Sequence, residues 1–198
     1  MPVPLIPIFI AGTGNLFSAI EGMKNRIPNI NEQDIQALEK TIQCAENGDV
    51  IKVNRGLYDH YGIFVKNNQH VVHYTGENSP NDFNGIVRET SLTEFLNGTN
   101  NFTICHFPEK IEQLTFLDNR NLLSDLWQKI KELKFENYHL YSGDETVNRA
   151  RNEIGRRGYN LLCNNCEHFA IWCKTGIRES SQVNKFIEAL IALCSAKE

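Results

Sequence analysis

Two periods of apolar and polar residues follow one another along this chain, and each change of period marks a new element. From Asn31 to Cys44 the apolar residues Ile35, Leu38 and Ile42 form one stripe of a helix. Asn31 is placed to cap that helix, and Gly48 lies just past its end. The strand-like segments are DVIKVNR (49–55), YDHYGIFVK (58–66), HVVHYTG (70–76) and a stretch near 85–88. SLTEFLN (91–97) predicts a short helix and TICHF (103–107) a strand. The helical period returns over Asn121–Leu133, and again over Thr146–Gly155 with Val147, Ala150 and Ile154 on one face. Residues 166–174 read as a helix stopped by Gly176. Phe186, Ile187, Leu190, Ile191 and Cys194 form a last amphipathic stripe that reads as core packing. Strands grouped apart from helices predict an α+β domain, an antiparallel β-sheet with packed helices. The expected division is an N-terminal extension with an amphipathic helix (1–46), a main domain (47–184) and a C-terminal helix (185–198).

Composition narrows the function classes. The 198 residues are 41% hydrophobic and 22% charged, with a net charge of −4. That is ordinary for a globular protein and enough for one sizeable core. No Lys/Arg run is long enough to mark a nucleic-acid tract, so no nucleic-acid partner is expected. No run reaches 18 apolar residues, which predicts no transmembrane helix. The apolar start MPVPLIPIFIAG lacks a basic n-region and is broken by prolines 2, 4 and 7. With six cysteines in a chain that needs no disulfide staples, reduced thiols and a cytoplasmic protein are expected. The two Asn-x-Thr sequons at Asn97 and Asn101 then read as chance. Gly12-x-Gly14 lacks a third glycine and is no nucleotide signal.

The second and third strands place two histidines. Asn67-Asn68 predicts a two-residue hairpin turn, since Asn tolerates positive φ. Lys66 then pairs with Gln69, Gly62 with His73 and His60 with Thr75. Alternation puts His60, Gly62 and Phe64 on one face with Val71, His73 and Thr75. His60 and His73 become diagonal neighbours, with the space over Gly62 empty between them.

The segment NNCEHFA (164–170) sets a thiol where a polar loop becomes an apolar helix. Asn164 and Asn165 are cap candidates, so Cys166 falls in the first helical turn. A helix N-terminus lowers a thiol's pKa, and its free N–H groups can hold a developing oxyanion. A nearby imidazole would complete a Cys–His nucleophile. Asn165, Tyr61 and Gly62 are the candidate oxyanion and substrate-binding positions. Cys163 and Cys166 also form a C-x-x-C, open to a redox or a zinc-binding reading, although Cys163 and Cys173 fit better as buried small hydrophobes.

GDVIKV, His60 in YDHYGIFV, His73 in HVVHY, and NNCEHF followed by WCKTG and SSQV together resemble the lecithin:retinol acyltransferase family, which includes the HRAS-like suppressor phospholipase A/acyltransferases and bacterial relatives. The likeness covers about residues 47–184. It implies a circularly permuted papain-like domain needing no cofactor or metal. By match, Cys166 is the nucleophile, His60 the general base and His73 the orienting third member. The implied activity takes an acyl group from a phospholipid or related ester, at a membrane surface, through a Cys thioester. The acceptor is an amine, alcohol, lysophospholipid or water. A papain-like amidase or peptidase uses the same thiol–imidazole pair and stands as the alternative.

Overall fold

A computed structural model describes residues 20–22, 24–25, 30–56, 58–76, 85–109, 138–157 and 166–178. Helix α1 runs Glu32–Cys44, and the Asn31 side chain accepts from the Asp34 N–H at 2.8 Å, as the cap chemistry requires. Strands β1 (Val50–Asn54), β2 (Asp59–Val65), β3 (His70–Gly76), β4 (Gly85–Ser91) and β5 (Thr103–Cys105) form one sheet in the order β4-β3-β2-β1-β5, with every pairing antiparallel. Helix α2 (Leu92–Leu96) follows β4 directly, α3 spans Gly143–Arg151 and α4 spans Cys166–Thr175. The α+β expectation holds. The periodic segments 121–133 and 186–194, and the Asn164, Asn165 and Cys163 positions, lie outside the described residues.

Alternation along the strands sorts the core into two layers. Val50, Tyr61, Ile63, Val65, Val72, Tyr74 and Val87 face α3 and α4. Ile51, Val53, Phe64 and Val71 face α1 and α2. Gly48 (φ +76°) and Gly143 stand back to back, and a Cβ on Gly143 would meet Asn47 O at 2.0 Å. Only glycines allow the turn before β1 to touch the start of α3. Arg149 of α3 then reaches the end of α4, donating to Cys173 O at 3.0 Å and Trp172 O at 2.9 Å, where a helix has carbonyls to spare.

Three sequence expectations need correction. The hairpin register is as expected, with Ile63↔Val72, Phe64↔Val71 and Val65↔His70, but the turn is not a two-residue Asn-Asn loop. Lys66–Asn68 form a 3₁₀ turn closed by Gln69, which takes the left-handed conformation (φ 52°) in place of either Asn. Helix α3 starts three residues before Thr146, because Ser142 and Glu145 form a reciprocal capping box, a sequence signal that the apolar stripe overshadowed. It ends at Arg151, so Ile154 leaves the buried face and is 48% exposed.

Candidate active site

Pairing between β2 and β3 stops at Ile63↔Val72, whereas β3 and β4 pair over seven positions down to Gly76↔Gly85. The sheet therefore opens between β2 and β3, and the candidate residues gather at that opening. Phe64 exchanges backbone hydrogen bonds with Gly48 and Asp49 on the β1 side. By the alternation of an antiparallel ladder, the backbone groups of Asp59 and Tyr61 face β3 instead. There they meet Cys166. Its Sγ–H points to Asp59 O at 3.9 Å, and the N–H groups of Tyr61, Glu167 and Cys166 itself bear on the sulfur. The first turn of α4 thus caps the end of β2 with a thiol.

The two histidines occupy the other face of the same opening. His60 Nε2 and His73 Nδ1 are hydrogen-bonded at 2.9 Å on the shared face that alternation predicts, although the ladder pairs Gly62–His73 and His60–Thr75 expected of the register do not form. His73 also lies 3.0 Å from Tyr74 O through Nδ1 and 2.9 Å from Thr90 Oγ1 through Nε2. The space over Gly62 is not empty, contrary to the sequence expectation. A Cβ there would meet Val71 Cγ1 at 2.4 Å, Phe95 Cε2 at 3.1 Å and His73 Cβ at 3.2 Å. Phe95 of α2 packs against both imidazoles, tilted by 30° over His60 with centroids 5.2 Å apart and edge-on to His73 at 5.1 Å. Arg55, Tyr58, Thr75, Glu94 and Asn97 complete a small cavity with the two rings.

The structure brings His60 and His73 together and sets Cys166 against the peptide that leads into His60. Among the described residues no hydrogen bond joins the sulfur to either ring. Cys166 packs with Tyr61 and Phe169 on the α4 face, and His60 with Phe95 on the α2 face, so the backbone of β2 lies between them.

Electrostatics correct the expected low thiol pKa. Cys166 is 3% exposed, and burial pushes the thiol up to about 11, against the backbone N–H groups that favour the thiolate. Burial also pushes His73 down to about 4, and Arg55 acts in the same direction. His60 is held well below the usual imidazole range by burial, then by His73 and Arg55. The resting site is a neutral thiol beside two neutral imidazoles. Glu167 is raised by burial, and its carboxylate is hydrogen-bonded to the Tyr61 side chain. Sequence reasoning missed Thr90, Phe95, Arg55 and Glu167. Glu167 alone carried a local signal, being next to the thiol in sequence. Among the described residues no cluster of three His, Cys, Asp or Glu could hold a metal, and no helix is long and apolar enough to cross a membrane.

Comparison with known proteins follows the same residues. The chain is 29% identical over 150 residues to lecithin retinol acyltransferase of Mus musculus, covering 72% of this chain and 60% of that protein. It is 27% identical over 146 residues to the Homo sapiens protein of the same name, again covering 72% and 60%. The chain thus spans about three-fifths of the length of the curated relatives it matches. The family profile described as lecithin retinol acyltransferase matches residues 43–179, a stretch that holds both histidines, the thiol and the sheet opening where they gather. The chain belongs to the lecithin retinol acyltransferase family.

Proposed function

We propose that this protein is a thiol-dependent acyltransferase, with residues 47–184 as its catalytic unit. One observation carries the reading. Cys166 Sγ sits at the open end of β2 against Asp59 O, one peptide from His60, whose ring is already hydrogen-bonded to His73. In the proposed first step the sulfur attacks the carbonyl carbon of an acyl ester. For this step the Cys166 side chain turns from Asp59 O round the open end of β2 to the imidazole, and His60 takes the S–H proton as the C–S bond forms, which suits a neutral base and a neutral thiol. The backbone N–H groups of Tyr61 and Glu167, which bear on the sulfur, are the proposed donors to the developing oxyanion. Collapse expels the alcohol, which takes the proton from His60 and leaves a Cys166 thioester. An acceptor amine, alcohol, lysophospholipid or water then gives its proton to His60, attacks the thioester and releases the thiol. His73 orients His60 through the Nε2–Nδ1 hydrogen bond.

The relatives' name speaks of lecithin and retinol, and for this chain the proposed donor is a phospholipid ester presented at a membrane surface. Intact-mass analysis after incubation with phosphatidylcholine vesicles tests the reading. A gain equal to one fatty acyl chain, absent in Cys166→Ser and removed by hydroxylamine, is expected. An unchanged mass in the presence of measurable ester cleavage would rule out the thioester route.

A further inference from the structure

Arg55 lies in the short connection between β1 and β2, and its side chain crosses to the far end of α2. Nη1 donates to Leu96 O at 2.6 Å and to Asn97 O at 3.4 Å, and Nη2 donates to Phe95 O. These are carbonyls that a helix leaves without partners at its C-terminus, where a cation is also favoured. Helix α2 has five residues, too few to hold a position through its own hydrogen bonds. Yet its Phe95 packs against both imidazoles and fills the space beside Gly62. The guanidinium ties that ring to the start of β2, the strand that carries His60. It also lines the same small cavity as the two rings.

We propose that Arg55 is a positioning residue for the imidazole pair: it pins the end of α2 so that Phe95 packs against both rings, and its fixed charge opposes a positive charge on either. This rests on reading His60 as the general base. The other groups facing the pair are few. Tyr58 comes from the same connection, Thr90 from β4 and Glu94 from α2, while Cys166 and Glu167 of α4 lie behind β2. Glu94 alone on the cavity wall opposes Arg55 in sign, but it is exposed and screened by solvent. Arg55 is half-buried, so its charge acts on the rings with less screening.

Two variants of the full chain separate clamp from charge. Arg55→Gln keeps an N–H donor and loses the charge; Arg55→Lys keeps the charge and loses the fork. The readouts are the histidine ring titrations by NMR, assigned through single His→Gln variants, and the pH profile of kcat/KM for acyl transfer. In Arg55→Gln, His60 and His73 should titrate at higher pH, and the acid limb of the profile should move up with them, because a protonated base is inactive. In Arg55→Lys the titrations should stay with the parent while turnover falls by up to about 10²-fold, the scale of a catalytic group misplaced by about 1 Å. Folded Arg55→Gln protein with parent-like titrations overturns the charge role. Parent-like turnover in Arg55→Lys overturns the clamp, and it decides the matter should Arg55→Gln fail to fold. Ring titrations that move while the acid limb stays put would leave Arg55 in its role and remove His60 as the base.

Discussion

At Cys166 two local effects compete, and burial wins. The helix N-terminus and three backbone N–H groups favour a thiolate, yet removal from water pushes the thiol up to about 11. Cys44 is free and exposed. Iodoacetamide at pH 7 should therefore label Cys44 well before Cys166, as peptide mapping by mass spectrometry would show. Rapid labelling of Cys166 at mildly acidic pH would mean that a thiolate–imidazolium pair forms after all. The histidines should not be equivalent. His60→Ala removes the proposed base and should lower acyl transfer by about 10²–10⁴-fold. His73→Gln keeps a hydrogen-bonding group beside His60 and should cost about tenfold, the worth of one orienting hydrogen bond. Equal losses in the two folded variants would contradict this division of roles.

Between elements, the fit of α2 onto the β2–β3 face turns on Gly62. Its missing side chain lets Val71 and Phe95 close over the strand, and a Cβ would overlap Val71 Cγ1 at 2.4 Å. Gly62→Ala should destabilise the fold by about 1–3 kcal/mol, the usual range for overpacking. Because the nearest atom is a methyl of Val71, the double variant Gly62→Ala/Val71→Ala should recover part of that loss in urea melts. No recovery would mean that Phe95 and His73, not Val71, set the limit. A local signal could not have found this. Gly62 reads as an opening in the strand until the helix 30 residues further on is laid across it.

For the whole molecule, the buried histidines make stability depend on pH. His73 has a folded pKa of about 4 against an ordinary value of 6.5. Between those values the unfolded chain binds a proton that the folded chain does not. That contribution is fully present above about pH 6.5 and is lost as pH falls toward 4, on the order of 3 kcal/mol from His73. Glu89 acts over a lower range. Its carboxylate, held by Arg151 at 2.8 Å and 2.9 Å, lies at about 2, so its contribution is lost only as pH falls below its ordinary 4.5. Urea melts at pH 7, 5.5 and 4 should show the loss, and His73→Gln should flatten it. An unchanged slope in that variant would place the proton uptake elsewhere.

The sequence by itself determined most of the described elements and the pairing of β2 with β3. Asn31 caps α1 through a hydrogen bond three residues long, and strand alternation puts His60 and His73 on one face. The hairpin register was legible although the turn was not, because a 3₁₀ turn closed by Gln69 spans the same four residues as the expected loop. These rest on a local cap or on one short hairpin, whose contacts span at most 13 residues and follow from local side-chain chemistry. Tertiary structure decided the rest. Thr90 reaches His73 from 17 residues away, Arg55 reaches α2 across 40 or more, and Cys166 meets Asp59 across 107. The protonation state of the site was decided there too. Local chemistry gave Cys166 the electropositive end of a helix, and the layers of the fold removed the water that a thiolate would need. A group's solvation is set by every segment packed around it, and no neighbouring stretch of sequence encodes that sum.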